Sequence, residues 1–304
     1  MEFRTDVTLG LKSPLMPPIM NGGGCIKTVE HVREAAMSVA GAVVVGSFTV
    51  SPRGGNKGDT FWYNPTGTLN SLGMPNGGMP YLVNNLSEMA DICHTANKPL
   101  VVNIAGFYPD EYVVLTSLCS KLGADAIELN LGCPNVLQDD GSRKPIPSYN
   151  VELFEKILSN VGEYAQIIKP LWVKVSPNFD GDQIRKLAQI VNQYHLIIKA
   201  VTIINTVPNC YSVDEEGKSR ITVGMAGLSG PPLKYIGLGQ VWQWRQALPE
   251  TVSVIGVGGI SKGEDVRDYA AVGASAFQVT TELLKSGDFN PRSLERLVTE
   301  YSNL

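Results

Sequence analysis

The sequence predicts a single (β/α)8 barrel of the α/β class over residues 1–304. Eight short apolar runs alternate with helical periodicity, 304 residues accommodate eight such units in one closed domain, and the runs end in polar residues and glycines. An open doubly wound sheet for dinucleotide binding would carry a Gly-rich fingerprint after its first strand, and none follows here.

Strand one is read over Pro17 to Asn21, followed by a helix over Thr28 to Val39. Strand two covers Ala42 to Ser47. Its connection, Val50 to Asn85, is the only long one expected, and its aromatic residues favour order. A helix over Leu86 to Ala96 leads to strand three, Leu100 to Ala105, and one over Glu111 to Leu122 leads to strand four, Ala126 to Leu131. Helix Val151 to Val161, strand five Leu171 to Val175, helix Gly181 to Gln193 and strand six Val201 to Asn205 continue the alternation. Helix Leu233 to Ala247, strand seven Val252 to Val257, helix Gly263 to Ala271, strand eight Ala276 to Thr280 and helix Pro291 to Tyr301 complete it.

Composition removes several function classes. Hydrophobic content of 43% with 18% charged residues is that of a globular chain, not a disordered one. A net charge of −4 gives no electrostatic footprint for nucleic acid or an anionic membrane surface. No apolar run approaches transmembrane length, and Met1-Glu2-Phe3-Arg4-Thr5-Asp6 lacks a signal-peptide block, so a cytoplasmic protein is expected. Cys25, Cys93, Cys119, Cys133 and Cys210 show no Cys-x-x-Cys spacing, and His31, His94 and His195 read as surface or packing residues, which leaves metal and disulfide readings poor.

In barrels of this kind chemistry sits at the carboxyl ends of the strands. There the sequence places Asn21-Gly22-Gly23-Gly24, Asn103, Asn130 with Cys133, Lys174 with Ser176, and Asn205-Thr206. Each alone is an ordinary strand end; together they describe a polar mouth. Ile127-Glu128-Leu129-Asn130-Leu131-Gly132-Cys133-Pro134-Asn135 is the most specific part, because an apolar strand closes on two amides that bracket a thiol. Lys174 puts an ammonium group into the apolar strand Trp172-Val173-Lys174-Val175, where it needs an anionic or strongly accepting partner. Gly256-Val257-Gly258-Gly259-Ile260 after strand seven and Thr280-Thr281 after strand eight stand where many barrels bind phosphate. Phosphate there, Lys174 and the amides suit flavin mononucleotide, with the lysine at the electron-rich N1/C2=O edge.

Five motifs occur in order: Asn70-Ser71-Leu72-Gly73-Met74-Pro75-Asn76, Glu128 to Asn135, Val173-Lys174-Val175-Ser176-Pro177, Asn205-Thr206 and Gly256 to Ile260. With them the chain resembles the dihydroorotate dehydrogenase family over essentially its whole length, and its cysteine is similar to the base of the soluble class 1 enzymes. The resemblance implies oxidation of dihydroorotate to orotate in pyrimidine biosynthesis, with Cys133 as base and hydride transfer to N5 of FMN. It also implies that Asn70, Ser71, Asn130, Asn135, Asn205 and Thr206 surround the pyrimidine, with the backbone of Leu72, Gly73 and Met74 taking its carboxylate. FMN would be held by Gly22, Gly23, Gly46, Ser47, Asn103, Asn130, Lys174, Ile204, Gly227, Gly258, Gly259, Thr280 and Thr281. A homodimer and fumarate as electron acceptor are the class 1A expectations, whereas class 1B enzymes need an iron–sulfur partner subunit. The polar segment Val136 to Tyr149, with Asp139-Asp140-Gly141, reads as a lid over the substrate.

Strand two departs from the class 1 pattern, which ends it in a lysine near flavin and substrate; Gly46 stands at that position. Arg53 and Lys57, from the following loop, are the candidates for restoring the charge. Two other readings stay open at the level of sequence: a related flavin oxidoreductase acting on a different dihydropyrimidine or unsaturated ring, and a non-catalytic FMN-binding subunit.

Overall fold

A computed structural model describes residues 2–138, 141–166 and 169–304. Its strands are β1 (Ile19–Asn21), β2 (Val43–Phe48), β3 (Phe61–Trp62), β4 (Thr68–Asn70), β5 (Leu100–Ile104), β6 (Ala126–Asn130), β7 (Leu171–Val175), β8 (Ile198–Ile203), β9 (Val207–Cys210), β10 (Ala226–Ser229), β11 (Ser253–Val257) and β12 (Ala276–Val279). The helices are α1 (Val29–Ala36), α2 (Gly78–Thr95), α3 (Pro109–Lys121), α4 (Val151–Tyr164), α5 (Gly181–Gln193), α6 (Lys234–Ala247), α7 (Gly263–Ala271), α8 (Thr281–Leu284) and α9 (Arg292–Ser302). Eight strands form a parallel sheet in the order β1-β12-β11-β8-β7-β6-β5-β2, and a parallel bridge between Met20 and Ala42 joins its edges, closing the barrel. Among the described residues no helix is long and apolar enough to cross a membrane.

Because side chains alternate across a strand, the barrel interior is built in layers two residues apart. The floor is apolar: Trp172 clusters with Val101, Ala126, Ala200 and Ala276, and Val7, Leu9, Leu11 and Leu15 of the N-terminal segment join them. The Trp172 indole N–H donates to the Leu9 carbonyl at 3.0 Å, which satisfies a polar group buried in the apolar floor. Two residues further along the same strands come Asn103, Glu128, Lys174, Thr202 and Gln278, all buried. Two further still come Asn130, Ser176, Ile204 and Thr280 at the mouth. The larger apolar core lies outside the barrel, between the strands and the surrounding helices.

Three features differ from the sequence reading. The Val50 to Asn85 connection is not the only long one, since β9 and β10 lie between β8 and α6 and pair with β3 and β4 in an antiparallel sheet, β3-β4-β10-β9. These strands escaped notice because they are two to four residues long and carry Pro208 and Gly227. Helix α2 starts at Gly78 rather than Leu86, since Gly78 and Pro80 disguise its first turn and Gly77 offers no side-chain cap. Strand β8 covers Ile198–Ile203 rather than Val201 to Asn205, so Asn205 sits in the loop beyond it.

Candidate active site

The carboxyl ends of the barrel strands and the small antiparallel sheet enclose a cavity that opens to solvent. Asn130, the last residue of β6, anchors it: its Nδ2 donates to Ser47 Oγ at 2.9 Å, and its Oδ1 accepts from Asn205 Nδ2 and the Gly132 amide, each at 3.2 Å. The chain then turns tightly. Ser176 Oγ donates to the Gly132 carbonyl at 2.7 Å, and a Cβ at Gly132 would lie 2.6 Å from the Ser176 amide nitrogen, so glycine lets this turn sit against β7. Cys133 follows, half-buried on the cavity wall.

Asn135 Nδ2 donates to Asn70 Oδ1 at 2.8 Å, tying the loop after β6 to the end of β4. Asn56, which the sequence reading did not assign, fastens the same two segments by donating to the carbonyls of Ser71 at 2.8 Å and Asn135 at 3.2 Å. Among the described residues Asn135 Oδ1 and Thr206 Oγ1 have no hydrogen-bond partner, although both residues line the cavity.

Beneath the mouth lies a buried polar network. Glu128 accepts from Asn103 Nδ2 at 2.6 Å, Thr202 Oγ1 at 2.6 Å and Gln278 Nε2 at 2.7 Å. Lys174 Nζ donates to Gln278 Oε1 at 3.1 Å. The partner that Lys174 requires is therefore an amide oxygen backed by a carboxylate. Glu128 and Gln278 were missed as site residues, yet they fall in the two-residue alternation that marks Asn103 and Lys174.

Burial pushes the Cys133 thiol up from its ordinary value, while the Asn135 amide and the ammonium groups of Lys144, Lys27 and Lys174 oppose that shift. Burial also lowers Lys27 and Lys144 to about 8, against the opposing influence of Cys133. Neither expected substitute for a strand-two lysine lines the cavity. Arg53 is committed to the Gly73 carbonyl at 3.2 Å, the Leu137 carbonyl at 3.1 Å and the Phe107 ring, whereas Lys57 is exposed on the loop.

Of the other expected site residues, Gly23, Leu72, Gly73, Met74, Ile204, Gly258, Gly259, Thr280 and Thr281 line the cavity. Gly22, Gly46, Ser71, Asn103 and Gly227 stand behind the lining; a Cβ at Gly22 would lie 2.2 Å from Thr280 Oγ1 and one at Gly227 2.2 Å from Thr206 Oγ1. Asp139 and Asp140 of the expected lid lie outside the described residues. The flanking segment doubles back through a bridge between Leu137 and Arg143, and Arg143 fastens it to the carbonyls of Pro134 at 3.2 Å and Met225 at 2.7 Å.

A closed barrel whose mouth sets one thiol among paired amides, above a lysine and carboxylate layer, has the architecture of a (β/α)8 enzyme site. A family model for dihydroorotate dehydrogenase matches residues 9–301. Dihydroorotate dehydrogenase (fumarate) of Kluyveromyces lactis is 34% identical over 275 residues, covering 89% of this chain and 84% of the relative. Probable dihydroorotate dehydrogenase A (fumarate) of Enterococcus faecalis is 31% identical over 293 residues, covering 94% and 89%. The chain belongs to the dihydroorotate dehydrogenase family. The fold agrees with that of DHODH from Eimeria tenella in its ligand-free crystal structure, at a TM-score of 0.80 and 20% identity over 100% of this chain and 90% of that one.

Proposed function

We propose that this protein oxidises dihydroorotate to orotate in pyrimidine biosynthesis, using FMN held in the barrel mouth. The observation that carries the reading is Cys133, set on the cavity wall between the Asn130 and Asn135 amides with Lys174 in the layer below. The residues fit a flavin. Lys174 offers an ammonium group, and Gly258 and Gly259 both have positive φ where the cavity wall is backbone.

Bound FMN would supply the acceptor for the hydride that leaves C6 of the substrate. Cys133 takes the proton from C5, so two hydrogens leave the ring and a C5=C6 double bond forms. The Asn70–Asn135 and Asn130–Asn205 pairs hold the ring and stabilise charge developing on its carbonyls, while the backbone of Leu72, Gly73 and Met74 receives the carboxylate. Gly258, Gly259, Thr280 and Thr281 hold the phosphate.

Fumarate is the proposed acceptor, in keeping with the names of the relatives, and a cytoplasmic homodimer of single-domain chains is the proposed working unit. Orotate formation from dihydroorotate by the FMN-loaded protein, with fumarate as the only acceptor, tests the reading. Succinate and orotate appearing in equal amounts is the expected result, and FMN-loaded protein that makes neither contradicts it.

A further inference from the structure

Gly46 has φ +110°, and a Cβ built there would lie 2.3 Å from the Asn103 carbonyl oxygen. A lysine at this position would be strained and would meet backbone that cannot step aside. The segment packed directly on Gly46 is the β1–α1 loop: the Gly24 amide donates to the Gly46 carbonyl at 2.6 Å, and the Gly46 amide donates to the Ile26 carbonyl at 3.0 Å. These two bonds clamp Gly24–Ile26 against β2, and the next residue is Lys27. Lys27 lines the cavity with Ser47, Asn130 and Cys133, and its ammonium acts electrostatically on the Cys133 and Cys25 thiols.

We propose that Lys27 is the substrate-site cation, recognising the anionic, carboxylate-bearing substrate beside Cys133 and favouring the thiolate there, delivered by the loop clamped onto the strand position that cannot hold a lysine. The inference rests on the dihydroorotate reading for the identity of the ring. The other groups acting on Cys133 are the Lys144 and Lys174 ammonium groups; Tyr112, also close in the field, is held protonated by burial, and Cys25 is pushed up to about 11 and stays neutral. Lys27, lowered to about 8 by burial, is charged below that pH, so orotate binds best there and more weakly above it.

The test compares FMN-loaded wild type, Lys27→Met, Lys27→Arg and Lys57→Met. Orotate and uracil are titrated by their perturbation of the flavin spectrum, and alkylation of Cys133 by iodoacetamide is followed from pH 6.5 to 10 without ligand. Lys27→Met is expected to weaken orotate about ten- to a hundred-fold, the scale of a lost charge-assisted contact, and to leave uracil nearly unchanged. It should also move the alkylation profile up by about one pH unit or more. Lys27→Arg should restore much of both, and Lys57→Met should change neither. Lys27→Met that retains FMN with unchanged orotate affinity and alkylation profile would overturn the inference; Lys27→Gln takes its place in the same comparison if the methionine variant loses flavin. Wild type that binds FMN but not orotate would sink the dihydroorotate reading and ring recognition with it, while alkylation still decides whether Lys27 governs Cys133.

Discussion

Cys133 carries opposing influences whose balance sets its use as a base. Burial raises the thiol while three ammonium groups and the Asn135 amide pull it down, and the net direction is up. A raised thiol is mostly protonated at pH 7, so flavin reduction by dihydroorotate should climb about tenfold per pH unit between roughly pH 6.5 and 8. Cys133→Ala should keep its flavin yet reduce it on the order of hundreds-fold more slowly near pH 8, and without the wild-type climb with pH. A flat wild-type profile over that range, or equal rates in the two proteins, contradicts the assignment. Stopped-flow absorbance at the flavin band makes both checks. The thiol and its amides were legible in the sequence because strand ends made of Asn and Cys conflict with a buried apolar run. Lys27 was not: a lysine just before a helix reads as solvated, and only the clamp between its loop and Gly46 brings it to the site.

At the scale of elements, β2 shows how a backbone conformation restricts chemistry. Gly46 lies between Val45 and Ser47 on a buried strand, with its amide and carbonyl both bonded to the β1–α1 loop. Gly46→Ala is expected to destabilise the protein by about 1–3 kcal/mol, since the alanine must hold positive φ and displace the Asn103 carbonyl. Urea unfolding of wild type and variant checks this, and equal midpoints with equal slopes would show that the strand relaxes freely. The sequence showed a missing lysine but not its cause, because φ is not written in residue identity. For the same reason the antiparallel sheet was invisible: β3 and β4 come from one long connection and β9 and β10 from another, and neither pair is stable or recognisable until both meet across the barrel mouth. The barrel strands were readable because each is a mostly apolar run that alternates with a helical pattern.

Over the whole molecule, two-residue alternation around a closed sheet turns strand sequences into a vertical order. Trp172 lies in the floor, Lys174 in the polar layer and Ser176 at the mouth, and the neighbouring strands repeat the order with Ala126, Glu128 and Asn130. The barrel therefore separates a dry floor that stabilises the fold from a polar mouth that holds ligands, with the Lys174–Gln278–Glu128 network between them. The most direct test of this account is anaerobic mixing of the FMN-loaded protein with dihydroorotate and, separately, with dihydrouracil, following the flavin absorbance. Rapid bleaching by dihydroorotate, with little or none by the ring that lacks a carboxylate, is the predicted result. Flavin that stays oxidised with dihydroorotate, or bleaches equally with both, would contradict it.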